Sequence, residues 1–175
     1  MRALVVYETI WGNTEQVARA IATGLGETLT VDVMDSETAP KVVNDYDLVV
    51  VGGPTHAFSM TRSSTRESAV AQRGAPRAPT RGIREWLVEV TPPGTAIAAA
   101  TFDTRVNTPR LPGSAAKAAK RELTELGFDI VVKQKSFHVH GYEGPLVDGE
   151  LDRAEKWGRT VGQAVSQSPD ESASA

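Results

Sequence analysis

The chain has 175 residues, 40% hydrophobic and 23% charged, which describes a globular domain with a sizeable core rather than a disordered segment. Its net charge of −3 is too mild to make nucleic acid or a membrane surface the main partner. The absence of cysteine excludes a disulfide framework, a thiolate nucleophile and thiolate metal sites. No apolar run reaches the roughly 20 residues of a transmembrane helix, and the N-terminus reads as a strand without a charged-then-apolar leader, so the expectation is a cytoplasmic protein.

Ala3 to Tyr7 is a short apolar run rich in β-branched and aromatic residues, the pattern of a buried parallel strand. Thr9 to Asn13 is a tight polar turn. From Thr14 the period becomes helical, with Val17, Ala18, Ile21, Ala22 and Leu25 on one face and Gly24 and Gly26 as stops. A strand that runs through a hydroxyl-bearing turn into a helix is a ready anion site. The first helical N–H groups have no partners inside the helix, and the macrodipole adds partial positive charge. The loop reads equally well as an ordinary turn capped by Thr14 until its neighbours are considered.

Leu29 to Met34 alternates, as a half-exposed strand near a sheet edge does. Ser36 to Asp45 is a polar connection containing Pro40, with room for one helical turn. Leu48 to Val51 is a second buried strand and ends in Gly52-Gly53-Pro54-Thr55-His56, where a missing Cβ lets a backbone or a flat ligand come close. Ala57 to Gly82 is irregular, with arginine at 62, 66, 73, 77, 81 and 84 opposed within the stretch only by Glu67. A short helix from Ser63 to Gln72, capped by Ser63, fits there. The arginines read as a solvated basic insertion, or as a patch that steers an acidic electron donor or the phosphates of NADPH. Another helix starts at Thr80, with Ile83, Trp86 and Leu87 inward, and stops at Thr91-Pro92-Pro93-Gly94.

Thr95 to Thr101 is a strand of small residues, followed by a turn at Phe102-Asp103-Thr104 and a proline-containing loop to Gly113. Ser114 caps a helix that Gly127 ends. Asp129 to Lys133 is the fifth strand, with a continuation through Phe137 to His140. Glu150 to Val165 is the last helix, with Leu151, Ala154, Trp157, Val161 and Val165 at helical spacing. The domain spans residues 1–166, and 167–175 form a small, polar, frayed tail. His138 and His140 share one face of the continuation and read as packing or loop-bonding residues before metal ligands.

Strand and helix alternate five times, which implies an α/β fold, a doubly wound parallel sheet with right-handed crossovers. Ligands of such sheets bind outside the carboxyl ends of the strands. Three loops of unusual composition leave those ends: Thr9 to Thr14, Gly52 to Phe58 and Thr101 to Arg105. Neither Gly-x-Gly-x-x-Gly nor Gly-x-x-x-x-Gly-Lys-Ser/Thr is present. The first loop has no Lys or Arg, which suits one buried monophosphate held by amides and hydroxyls.

Tyr7-Glu8-Thr9-Ile10-Trp11-Gly12-Asn13-Thr14-Glu15 resembles the phosphate loop of the flavodoxin family, Thr/Ser-x-Thr-Gly-x-Thr, with Trp11 in place of the middle Thr. The resemblance extends to about Val165. It implies a flavodoxin-like five-stranded parallel sheet in order 2-1-3-4-5 and non-covalently bound FMN. Thr9, Ile10, Trp11, Gly12, Asn13 and Thr14 would then meet the phosphate. Pro54, Thr55, His56, Ala57 and Phe58 would lie along the flavin ring, and Thr101, Phe102, Asp103, Thr104 and Arg105 would close its other side. Gly53-Pro54-Thr55-His56 is also similar to a loop of flavodoxin-like quinone reductases. The reading favoured is an electron carrier that meets a reductase and an acceptor protein. The alternative is an FMN-dependent NAD(P)H:quinone-type oxidoreductase, and a scaffold that has lost its flavin is a weaker third.

Overall fold

The computed structural model describes residues 1–167. The central sheet is parallel, in the order β2 (Thr30–Asp35), β1 (Arg2–Tyr7), β3 (Leu48–His56), β5 (Ala98–Val106), and then β6 (Asp129–Ile130). The last edge is split. β6 pairs with the start of β5, and β7 (Lys135–Val139) pairs with its end. Counted as one interrupted strand, this is the expected order of five, and the expected continuation through Phe137 is the second half of it. A short strand, β4 (Ser59–Met60), folds back antiparallel on the end of β3.

The two faces of the sheet are buried under different helices. Ala3, Val5, Leu48 and Val50 pack beneath α1 (Asn13–Leu25) and α5 (Glu150–Gln167). Leu4, Val6, Val49 and Val51 pack beneath α3 (Ile83–Glu89) and α4 (Ala115–Glu125). Alternate residues of each strand thus serve opposite cores, which is why the strands read as unbroken apolar runs. Trp86 is fully buried, and Trp157 stacks edge-on against Phe102 and Phe137. Such T-shaped pairs add roughly 0.5–1.5 kcal/mol each beyond their area burial.

Helices α1 and α5 meet backbone to backbone. A Cβ on Gly24 would fall 2.0 Å from the Glu155 carbonyl oxygen, and one on Gly158 would fall 2.2 Å from that of Ile21. Neither position accepts a side chain without separating the helices, because backbone cannot yield as a flexible side chain can.

The sequence reading differs from the fold at several points. No helix lies between β2 and β3. Instead α2 (Ser63–Arg73) and α3 both fall between β4 and β5. The N-cap of α2 is Arg62, not Ser63: the Thr65 hydroxyl accepts from the Arg62 amide and donates to its carbonyl, while Ser63 donates to Glu67. Helix α3 starts at Ile83 rather than Thr80, and the Thr80 hydroxyl and amide both bond Glu37 instead. Ser114 caps α4 as expected, accepting from the Lys117 amide at 3.1 Å. Gln167, the first residue of the expected tail, is the last residue of α5; residues 168–175 lie outside the described residues.

Candidate functional site

Strand β1 delivers the chain into the turn Glu8 to Gly12, and α1 leaves it. Gly12 is the N-cap of α1 with φ of 94°, a left-handed conformation that glycine adopts at little cost. Its amide donates to the Thr9 hydroxyl at 3.0 Å. Among the described residues, the amides of Ile10, Trp11, Asn13, Thr14 and Glu15 donate to no acceptor of the chain. A Cβ built on Gly12 would meet nothing within 4 Å. The turn is therefore a set of backbone donors gathered around open space at the positive end of a thirteen-residue helix. Those donors fit a phosphate monoester without a lysine.

The side chains of the turn are shared between this space and the rest of the fold. Thr14 Oγ1 lies 2.7 Å from Thr104 Oγ1 at the end of β5. With Thr104 donating, the Thr14 proton is free for an incoming anion. Asn13 Nδ2 donates to the Glu143 carbonyl at 2.9 Å, so its side chain ties down the loop after β7 and leaves its amide for the anion. That loop comes so close that a Cβ on Gly144, where φ is 100°, would fall 2.5 Å from Asn13 Oδ1. Trp11 stands 6.2 Å from His56, ring centroid to ring centroid, at an interplanar angle of 48°. Pro54, Thr55, His56, Thr104 and Arg105 complete the recess.

A cleft of about 340 Å³ continues outward from it. One side is the tip of the β3–β4 hairpin, Thr55 to Phe58, and the other is Arg105, Val106, Leu111 and Pro112. Ala57 and Phe58 both have positive φ, 45° and 70°, a two-residue turn that sequences usually fill with Asn-Gly. Burial pushes the His56 imidazole down to about 4, with the Arg73 and Arg66 charges adding to the effect, so it is neutral at physiological pH.

The expected third wall is partly misplaced. Strand β5 runs on through Val106, so Phe102, Asp103 and Thr104 are strand rather than turn, and Thr101, Phe102 and Asp103 are fully buried. Thr101 donates to the Ala116 carbonyl, and Phe102 packs with Phe137 on the opposite face. Asp103 Oδ2 accepts from Ser114, Thr55 and the Ala116 amide, which fixes the start of α4. Sheet pairing of Phe102 to Val106 with β7 keeps this stretch extended. The cleft side therefore begins only at Thr104.

The sequence leaves several neighbours of the cleft unassigned, while Tyr142 is read there as lying beside the flavin rim. Thr65, Ser68 and Gln72 of α2 and Val106 line it, and Tyr142 closes one end, with the Arg73 guanidinium 3.5 Å from the Tyr142 ring centroid. Also unassigned is Glu8, whose carboxylate is fully buried beside the β1–α1 turn. Glu8 Oε1 accepts from the Thr61 hydroxyl and Oε2 from the Ile83 amide at 2.9 Å. Arg66, only 1% exposed, donates to Thr61 at 2.9 Å, grips Glu85 with two bonds of 3.1 Å, and lies 4.0 Å from Glu8. Burial pushes the Glu8 carboxyl up, against the pull of Thr61, Ile83 and Arg66. Burial also works against the Glu85 carboxylate, but Arg66 and the Gly82 amide hold it below the ordinary range.

The basic insertion is thus mostly tied inward. Arg77 pairs with Asp35 and Glu37, Arg81 with Glu89, and Arg84 with the carbonyls of Met60 and Thr61. Ile10 of the β1–α1 turn packs against Ala69 and Ala75, so α2 is bolted to the turn by both ions and apolar contact. Local sequence hid this, because every carboxylate partner of these arginines lies outside the stretch, Glu85 just past its end.

The sequence profile described as Flavodoxin matches residues 5–72. A flavodoxin 1 from Bacillus cereus superimposes with a TM-score of 0.68 at 16% identity, over 97% of this chain and all of that one. A flavodoxin from the domain Archaea gives 0.65 at 19% identity, over 95% of this chain and all of that one. The Flv1 flavodiiron core of Synechocystis gives 0.65 at 18% identity over 95% of this chain, but only 36% of that longer protein is covered. At these identities the structures show a shared fold, and the profile match covers the phosphate turn together with the hairpin and α2.

Proposed function

We propose, from the premise that this chain is a flavodoxin-family protein, that it binds FMN non-covalently and carries electrons between redox proteins. The observation that supports this most is the set of acceptor-free amides around Gly12, opening directly into a cleft of flavin-like size. In this reading the free amides of Ile10, Trp11, Asn13 and Thr14 and the hydroxyls of Thr9 and Thr14 hold the phosphate, while the Gly12 amide holds Thr9. Asn13 serves the site indirectly, by fixing the loop at Glu143.

Pro54 to Phe58 would border one side of the ring and Thr104 to Val106 the other. Thr101, Phe102 and Asp103 support the second side from behind. Neutral His56 keeps a positive charge away from the ring, while Arg105 brings one toward it and favours an anionic reduced cofactor. FMN supplies one- and two-electron redox chemistry when bound.

The test is addition of FMN to the purified chain, read by absorbance and by quenching of flavin fluorescence, followed by photoreduction. Stoichiometric uptake and a one-electron stage that accumulates support the carrier. Bleaching by NADPH without a second protein would make it an NAD(P)H oxidoreductase instead. A chain that stays colourless refutes both. No helix among the described residues is long and apolar enough to cross a membrane.

A further inference from the structure

The chain carries more acidic than basic residues, 22 against 19, yet the mouth of the cleft shows the opposite sign. Past Arg105 and Val106 the cleft continues into a groove of about 350 Å³ lined by Asn107, Arg110, Ser136 and His138. Among the described residues, no Asp or Glu lines the recess, the cleft or this groove. Three arginines do. Arg73 lies on the Tyr142 ring, Arg105 donates to the Leu111 carbonyl, and Arg110 is exposed with no partner among the described residues. None is neutralised by a carboxylate, in contrast to Arg66, Arg77 and Arg81. Three nearby carboxylates are off this lining: Asp103, two residues before Arg105, is fully buried against the start of α4, Glu143 is exposed one residue past Tyr142, and Glu150, behind His138, is held by Arg153.

Between these cations lie the exposed apolar side chains Phe58, Leu111 and Tyr142, at 56%, 42% and 49% exposure. An apolar centre within a charged rim is the composition of a transient protein interface. A small nucleotide needs no such centre. At physiological salt, charges are screened beyond about 8 Å, so a docking partner meets the local positive field and not the net charge of −3.

We infer that this rim is the docking surface for an acidic one-electron redox protein, one that presents carboxylates around its own exposed redox centre. The arginine forks pair with those carboxylates, and the apolar patch excludes water between the centres. Each encounter oxidises the partner's redox centre by one electron and reduces the bound flavin by one. The inference rests on the electron-carrier reading.

The experiment uses the FMN-loaded full chain, with loading established from its visible spectrum. Reduction by pre-reduced plant-type ferredoxin, an acidic iron–sulfur protein, is followed by stopped flow. The rate constant should fall about tenfold between low and high salt. At low salt, R110E and R73E should each slow it severalfold, while R121E, on the exposed face of α4, leaves it unchanged. Oxidation of the reduced chain by cytochrome c, a basic protein, should instead speed up with salt. A ferredoxin rate that is flat or rises with salt, or variants equal to R121E, would overturn the surface while leaving the carrier reading intact. Direct reduction by NADPH with a KM raised in R110E would assign the arginines to a nucleotide and overturn it as well. If the chain takes up no FMN, the carrier reading fails, and the docking inference fails with it.

Discussion

Replacing Arg66 with Met removes a buried cation and leaves a buried anion behind. Arg66 makes two bonds to Glu85 and one to Thr61, and it sits 4.0 Å from Glu8. The two carboxylates respond differently. Glu85 has a third of its side chain in solvent and recovers water once released, so its share of the loss is small. Glu8 is at 0% exposure and keeps only the Thr61 hydroxyl and the Ile83 amide. An uncompensated charge of that kind costs about 3–5 kcal/mol, of which the apolar fit of Met returns roughly 1 kcal/mol. R66M should therefore lose about 3 kcal/mol in urea unfolding, read as a lower midpoint at unchanged slope. E8Q, which keeps the shape and removes the charge, should lose only about 1 kcal/mol. The double variant E8Q/R66M should be more stable than R66M alone by about 1–2 kcal/mol. The pH dependence has a definite sign. Without Arg66 the folded-state value of Glu8 rises further above its ordinary 4.5, so the deficit shrinks as the solution is acidified toward that value. Loss of less than about 1 kcal/mol by R66M, or strict additivity in the double variant, would refute the coupling of Arg66 to Glu8.

Four further outcomes are expected. Thr14→Ala should weaken FMN binding by about 1–3 kcal/mol in a fluorescence titration, and Thr14→Ser should restore most of it; equal affinity of all three would remove the Thr14 hydroxyl from the phosphate site. His56, held at about 4 in the fold against an ordinary 6.5, lets the unfolded chain take up a proton first as pH falls, so roughly 3 kcal/mol of stability should drain away between those values. An NMR titration placing His56 near 6.5 would contradict its burial. Gly144→Ala should destabilise by about 1–3 kcal/mol and loosen the cofactor, because the left-handed backbone and the contact with Asn13 both oppose a Cβ. Ala57→Gly should stabilise by about 1 kcal/mol by relieving a positive φ, and destabilisation of similar size would show that the hairpin turn is not strained.

Local pattern carries some parts of this molecule and not others. The apolar runs at Ala3 to Tyr7 and Leu48 to Val51 declare buried strands, because each face of the sheet is covered and every residue must be apolar. Gly12 and the helical period after it announce a turn with free amides. The wall at Thr101 to Arg105 was half legible. Phe102, Asp103 and Thr104 resemble a turn in sequence, and only pairing with β7, some thirty residues later, keeps them extended. The arginines were least legible. Arg66 and Arg77 look alike in a run of solvated charge, but one lies within reach of Glu8, 58 positions earlier, and the other bonds Glu37 across the fold. Helical and strand periods report which face of an element is buried. They carry no record of which distant charge waits there.

The glycine seam between α1 and α5 ties the beginning of the chain to its end. A polypeptide emerges from the ribosome N-terminus first. Helix α1 is therefore made early, and the helix that completes its cover, α5, follows only after more than a hundred further residues have been added. Only when α5 emerges can Gly158 settle against Ile21 and hold α1 on the sheet. The nascent chain cannot keep a finished cradle before then. On the proposed function, FMN uptake then belongs to the completed polypeptide, and a translation product halted before residue 150 should take up no FMN although Thr9 to Thr14 had already been made.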